Sequence, residues 1–487
     1  MPTGSQIYLQ KSAQWLVLGI VATVPMIFGA VHPLLIGFYT FVMLVGFGGW
    51  LLLNPSQDSS QHVSLWALLP LFLLLYVVAQ SIPLPLEIVE ILSPYRAERV
   101  GMVNLLVGTD QKSITLSEVG TVGVYKAVFL FSLLLYYHSL KQLLAQDQSF
   151  LNIIVMVLVA IGAFEALYGL IQFVSPQVGI LWLSLKGRAA HGTIIYKNQY
   201  ASLVNMIWPL ALASGLCFFL KKKKKTNHKK TENKLPTTMA ELADTKVRAI
   251  LYVFAAIMMC LAVLFSLSRG GILAMALVAI SFTFLLPFSK TKKLVSLLAF
   301  IVFVCSYGAI LGLDTIISRF NSMGGSGAVR FDIYLSSLPM LMDHWLTGIG
   351  MGAYTLLSPV YLKGFAANIH FDRVHNEYLE LVIELGIPVA AMLFIWMVSG
   401  MGKIFYSIVK NVNRRQVEMN RFLLGIAAFC GLFGFLTHGV VDFGWRLPAN
   451  LVYAITLLAI TVHCLDEGPG PQCKGSAPTD TLSRPSH

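Results

Sequence analysis

Twelve stretches of about 20 residues with hardly any charge recur along this chain. A helix of about 20 apolar residues crosses a bilayer core of about 30 Å. No water is present there to satisfy the backbone, so an open chain of this kind must be helical. The stretches run near 14–31, 34–53, 64–84, 120–138, 151–174, 200–220, 249–267, 271–288, 294–313, 379–400, 422–440 and 449–465. The weakest is 120–138, which carries Lys126. Composition agrees, with 56% hydrophobic and 12% charged residues, against about 45–50% and about 25% in soluble domains. So little charge excludes a cytosolic enzyme, a disulfide-stapled secreted module and a disordered regulator. The expected fold is all-α, a polytopic helical membrane protein of about 12 transmembrane helices. One integral membrane domain is expected over 1–466. The Pro-, Gly-, Ser- and Thr-rich tail 467–487 is expected to be disordered.

The net charge of +12 is concentrated in short loops, chiefly Lys221–Lys225 with Lys229 and Lys230. Basic loops between apolar runs report topology before they report nucleic acid, and no nucleic-acid partner is expected. An even number of spans puts both termini on one side. With the termini in the cytoplasm, 22 of the 35 Lys and Arg residues fall on the cytoplasmic side and 12 on the other, with Lys126 in a span. The positive-inside rule favours this orientation. The basic cytoplasmic segment 221–248 reads as a flexible stop-transfer linker, with anionic lipid binding as its alternative. The first apolar run has no small-residue cleavage pattern behind it and reads as a retained span. The six cysteines include no C-x-x-C pair, so neither metal nor disulfide is expected.

The external segments 85–119, 175–199, 268–270, 314–378 and 441–448 mix charged, aromatic and glycine residues. The longest holds Phe331, Tyr334, Leu338 and Leu341 at helical spacing, which predicts a helix near 328–343, followed by a turn at Gly348, Gly350 and Gly352. Four motifs carry possible chemistry. Lys186 to Thr193 leads into Tyr196-Lys197-Asn198-Gln199-Tyr200. Ser266-Leu267-Ser268-Arg269-Gly270-Gly271 joins two spans with hardly any loop. Asp372-Arg373-Val374-His375-Asn376-Glu377-Tyr378 opens a span that continues with Glu380 and Glu384. His438, Asp442 and Arg446 sit at the next external end.

Each has a bland reading beside the functional one. Arg188 and Arg269 can snorkel to the interface, or grip phosphate with the planar guanidinium fork. His375 can satisfy free donors at a helix start, or act as a base, since imidazole titrates near neutrality. Glu380 and Glu384 enter an apolar run, where carboxylates are costly; pairing with Lys126 or an arginine is their structural role. His438, Asp442 and Arg446 read as a structural hydrogen-bond cluster. Two arginines, a histidine and several carboxylates on one face suit a lipid pyrophosphate, its tail in the bilayer and its head group at the interface. Arg188 and Arg269 are then the groups that stabilise the leaving pyrophosphate, and His375 the base on an acceptor hydroxyl. Lys197, Asn198, Arg330, Arg373, Asn376 and Glu377 are the expected further substrate contacts. No metal or other cofactor is expected. A secondary transporter is the rival class, against which the lack of an internal repeat and the long external loop weigh.

At the Ser266–Gly271 turn, at His375-Asn376-Glu377-Tyr378-Leu379 continuing to Glu384-Leu385-Gly386, and at Gly348–Gly352, the chain resembles the O-antigen ligase and polymerase superfamily of bacterial membrane glycosyltransferases. The resemblance covers roughly 180–450. It implies a lipid-dependent, GT-C-like helical architecture with a long periplasmic loop near the active site. It also implies transfer of a glycan from undecaprenyl pyrophosphate, with inversion and without metal, at the periplasmic face of the inner membrane. Ligases of the family use lipid A–core oligosaccharide as acceptor in lipopolysaccharide biosynthesis; polymerases use another lipid-linked repeat unit, as in exopolysaccharide assembly. The family arginines correspond to Arg188 and Arg269 and the family histidine to His375. The family's asparagine-rich motif reads Tyr196-Lys197-Asn198-Gln199 here, which leaves the role of Lys197 open.

Overall fold

The computed structural model describes residues 4–54, 65–184, 187–220, 239–311, 323–362, 371–412 and 419–465. Lys186, the Lys221–Lys225 run, parts of the long loop (314–322 and 363–370) and the tail 467–487 lie outside the described residues. The fold is all-α and polytopic. The helices are α1 (Gly4–Met26), α2 (Pro33–Leu53), α3 (Leu65–Ala79), α4 (Leu86–Leu92), α5 (Pro94–Val107), α6 (Gly120–Gln146), α7 (Gln148–Val174), α8 (Lys197–Leu220) and α9 (Met239–Phe265). They continue as α10 (Arg269–Leu285), α11 (Lys290–Leu311), α12 (Met323–Asp343), α13 (Tyr354–Tyr361), α14 (Glu377–Leu385), α15 (Ile387–Val412), α16 (Met419–His438) and α17 (Pro448–Leu465). Two short strands, β1 (Pro83–Pro85) and β2 (Ser113–Thr115), pair antiparallel with Leu84 opposite Ile114.

Among the described residues nine helices are long and apolar enough to cross a bilayer, and α10 and Leu68–Ala79 of α3 are apolar but shorter. The run at 120–138, the weakest by sequence, is part of the 27-residue α6. The run at 379–400 is not one helix. Gly386 takes φ +80° between α14 and α15, and a side chain there would meet the Leu346 carbonyl. The helix expected near 328–343 is the longer α12, and the glycines after it turn with φ +70°, +96° and +90° at Gly348, Gly350 and Gly352.

The most buried spans are α8, α16 and α17, at 72%, 72% and 78%, and α15 is the least at 11%. Between spans there is no hydrophobic gain over lipid, so close backbone packing through small residues holds helices together. Gly431 of α16 lies against the Met206 backbone of α8, and a Cβ on Gly162 of α7 would come within 2.9 Å of Ile207. Buried hydroxyls add cross-links: Tyr136 and Thr456 lie 2.6 Å apart, and Tyr453 donates to the Val21 carbonyl at 2.9 Å. This packed centre fixes the ends of α8, α16 and α17, where the candidate site lies.

Candidate active site

Two turns of similar build carry the sequence motifs. His375 has φ +62° and Leu267 has φ +52°, a left-handed backbone that is uncommon and strained for side chains other than glycine. The next residue caps a helix in each case. Asn376 accepts from the Leu379 N–H at 3.1 Å to start α14, and Ser268 accepts from the Gly271 N–H at 3.1 Å to start α10. The reversal before each cap makes each helix start abruptly, with the positive end of its dipole facing the loop.

Three helix starts gather around the segment that joins α16 to α17. The Glu377 N–H at the start of α14 donates to the Gly439 carbonyl at 2.9 Å. A Cβ on Gly270 of α10 would sit 2.9 Å from His438 Nε2 and from Val441 Cγ2. Gln199 in the first turn of α8 donates to the Phe443 carbonyl at 3.3 Å, and Asn450 of α17 donates to both the Gln199 and the Gly444 carbonyls.

Within this segment Asp442 is buried and accepts from the Phe443 N–H at 2.8 Å. Its carboxylate faces two cations or potential cations: His375 Nδ1 at 4.0 Å and Arg330 Nη2 at 3.7 Å. Both distances exceed a hydrogen bond. Arg330 also donates to the Val441 carbonyl at 2.8 Å. Burial opposes the charge on Asp442, but the facing His375 imidazole, the neighbouring His438 and the Arg330 guanidinium outweigh it and hold the carboxyl below the usual carboxylate range. Phe443 lies edge-on to His375 at 4.9 Å and to Tyr196 at 5.5 Å, and so ties the α8 start to the histidine. With Nδ1 turned to Asp442, Nε2 is the nitrogen of His375 left for another group.

Behind the histidine, Arg446 holds three carboxylates. Its Nε lies 3.1 Å from Glu377, its Nη2 3.1 Å from Glu380 and its Nη1 3.0 Å from Glu384. The Glu side chains are 1%, 0% and 0% exposed. Helical spacing puts all three on one face of α14. Glu377 also accepts from the Trp445 N–H at 2.7 Å, Glu380 from Arg373 at 3.0 Å and the Val374 N–H at 3.1 Å, and Glu384 from the Gly352 N–H at 2.7 Å. Lys126 of α6 reaches the same place, its Nζ 2.7 Å from where a Gly352 side chain would begin.

The arginine-bearing loop before α8 is locked from both sides. Its Ala190 N–H donates to the Phe265 carbonyl at the end of α9 at 2.9 Å, which seats the loop beside the Ser266–Arg269 turn. From α7, Gln172 donates to the Gly192 carbonyl at 2.7 Å, and Glu165 accepts from the Thr193 N–H at 2.8 Å. Arg188 projects from this loop with an exposed side chain; Arg269 begins α10, and its side chain is half-buried. Lys197 and Asn198 are half-buried at the start of α8.

The structure therefore brings His375, Arg269, Lys197, Asn198, Asn376 and Arg330 to one end of the bundle, with the Arg188 loop pinned alongside. Two expected substrate contacts are otherwise engaged. The Glu377 carboxylate is taken up by Arg446 and Trp445, and Arg373 is paired with Glu380. His438, Asp442 and Arg446, which read as one cluster, divide among three partners: His438 abuts Gly270, Asp442 faces His375, and Arg446 binds the glutamates. Their spacing of four mimics a helix face, but α16 ends at His438. Glu165 and Gln172 were missed as anchors; a lone carboxylate in the apolar run 151–174 was the available signal.

No curated relative matches the chain at a significant level. Residues 254–394, which span α9 to the start of α15 and include Arg269, Arg330 and His375, match the family model described as O-antigen ligase. Over this segment the chain is similar to the O-antigen ligase family of membrane proteins.

Proposed function

We propose that this protein transfers a glycan from undecaprenyl pyrophosphate to an acceptor hydroxyl, that of lipid A–core oligosaccharide, at the periplasmic face of the bacterial inner membrane. The observation that carries the reading is the meeting of three helix starts with the His375–Asp442 pair at one end of the bundle. Helix starts offer N–H donors and a positive dipole end to phosphate oxygens. Arg269 and Arg188 add guanidinium forks that suit a pyrophosphate.

In this reading the acceptor O–H lies against His375 Nε2. The acceptor oxygen attacks the anomeric carbon of the donor sugar and the proton passes to Nε2. The carbon–oxygen bond to the pyrophosphate breaks, and undecaprenyl pyrophosphate leaves with the bonding electron pair, its charge met by the arginines and helix ends. Asp442 keeps Nδ1 oriented and balances the charge the imidazole acquires. Attack opposite the leaving group inverts the anomeric centre and needs no metal.

Purified protein in lipid nanodiscs, mixed with glycan-linked undecaprenyl pyrophosphate and lipid A–core, tests this. The expected result is free undecaprenyl pyrophosphate and an acceptor heavier by the glycan. A product still linked to undecaprenyl pyrophosphate and longer by one repeat would identify a polymerase instead. Movement of intact donor across the membrane without bond cleavage would identify a transporter.

A further inference from the structure

The helical insert between α3 and α6 carries an apolar surface that nothing among the described residues covers. Met102, Val103, Leu105, Leu106 and Val107 of α5 are 49%, 52%, 86%, 85% and 68% exposed, and Ile91 of α4 is 78% exposed. From Val100 to Thr109 there is no charged residue; Glu98 and Arg99 precede the stretch and Asp110 and Lys112 follow it. Exposed apolar side chains that follow one another in this density mark a binding face.

The end of α5 is held in shape. Gly108 closes it with φ +70°. The Asn104 side chain accepts from the Thr109 hydroxyl at 2.9 Å and from the Gln111 N–H at 3.3 Å. Polar contacts thus gather on one side of the helix, while Met102, Leu105 and Leu106, at helical spacing, form the other.

Chain length fixes what this face meets. Only residues 80–82 separate α3 from β1, and only 116–119 separate β2 from α6. Each residue reaches about 3.5 Å at most, so the β1–β2 ribbon stands within about 10–14 Å of two span ends. The head-group layer is about 5–7 Å thick on each side of the core, so the ribbon lies within about two such layers of the span ends. Exposed apolar residues recur along the chain from α3 (Leu71, Phe72, Leu75 and Val78) through Ile82 to Ile88 and Ile91, with the carboxylates Glu87 and Glu90 exposed between them on α4. The short connections thus keep the exposed apolar face of α5 close to the membrane ends of α3 and α6.

We propose that α5 lies in the bilayer surface, with Met102, Leu105 and Leu106 inserted among phospholipid chains, and that it acts as a lipid-anchored foot for the site. The other side of the insert supports this role. Arg96 pairs with Glu118 and donates to the Ser117 carbonyl at 3.0 Å. The Glu118 N–H donates to the Ile349 carbonyl at 2.8 Å, and Ser117 packs against Gly350. That glycine turn ends at Gly352, whose N–H holds Glu384 in the Arg446 cluster. The anchor thus sets the height of the glycine turn relative to the head groups. An amphipathic interfacial helix binds through its buried apolar area. The inference rests on the membrane fold alone and stands whichever reaction the site performs.

Photocrosslinking tests it. The full chain carries benzoylphenylalanine in place of Leu106 and is irradiated in phospholipid nanodiscs holding one copy each. The same residue in place of Leu75, which faces lipid on α3, and of the exposed Glu98 gives the lipid and water references. The expected result is a mass increase of one phospholipid at 106 in a yield within about threefold of that at 75, and none at 98. No phospholipid adduct at 106 while 75 reacts would overturn the proposal. A crosslink from 106 to a second copy, in nanodiscs holding two, at the expense of the lipid adduct would overturn it too.

Discussion

Removing the Arg446 side chain with Arg446→Gln strands three carboxylates that are essentially unexposed. Arg373 still reaches Glu380, and Lys126 still stands near Glu384, so the loss falls most heavily on Glu377. Breaking a buried ion pair by deleting one partner costs about 3–5 kcal/mol, most of it the burial of the charge left behind. Glu384→Gln keeps an oxygen for the Gly352 N–H and leaves Arg446 two other carboxylates, so its cost is that of a charged hydrogen bond, about 1.5–3 kcal/mol. In the double variant the charge stranded at 384 no longer exists. The combined loss should therefore fall short of the sum of the two by at least ~1 kcal/mol. Equilibrium unfolding in mixed detergent micelles, followed by tryptophan emission, measures the cycle; Trp445 lies inside the cluster as a local reporter. Additive losses, within about 0.5 kcal/mol, would refute the reasoning, since they mean that Arg446 and Glu384 do not sense one another's charge. The variants should also lose turnover at temperatures where they remain folded, because the cluster positions the segment that carries Asp442, and a displacement of about 1 Å can cost about 10²-fold.

Arg269→Lys keeps the charge and loses the planar fork, so transfer should fall steeply; near-normal activity would make Arg269 an interfacial cation only. His375→Asn retains a side chain suited to helix starts but cannot take a proton, and should lower turnover by about 10²–10⁴-fold; an active asparagine variant would remove the base assignment. Gly270→Ala drives a Cβ to 2.9 Å from His438 and Val441, which should cost about 1–3 kcal/mol by overpacking and lower transfer as the 438–442 segment shifts; unchanged stability and activity would show that the segment yields freely. Asp442, with its native pKa held below the usual range, contributes stability that is full above its unfolded value of about 3.9 and lost as pH falls through the lower native value. Comparing acid unfolding of the protein with that of Asp442→Asn should show the two curves converging only below about pH 4; convergence near neutrality would contradict an ionised Asp442.

The membrane fold was legible because it depends on local composition: a bilayer imposes a length and an apolar character on each span that single stretches of sequence must meet. The same holds for the helix starts at Ser268 and Asn376, whose caps are short-range chemistry between residues three apart. His375 and Arg269 stood out because charged and polar groups at span ends are few. Their partners did not, since pairing across the bundle has no periodic trace in the sequence. Asp442 lies 67 positions from His375, and Arg446 reaches carboxylates 62 to 69 positions away. The three glutamates shared a face by helical spacing, yet the sequence offered Lys126 or any arginine as their counter-ion. The choice fell to Arg446 because the Gly439 carbonyl and the Trp445 N–H both bond to Glu377 and hold the 439–447 segment against α14. The break at Gly386 was hidden for a related reason. An apolar run reads as one continuous helix, and it is the left-handed backbone at Gly386 with the Leu346 carbonyl against it that demands a residue without a side chain there. Composition and helical period thus determined the spans and their caps, while contacts between residues distant in the chain decided which charges neutralise one another and which nitrogen of His375 faces Asp442.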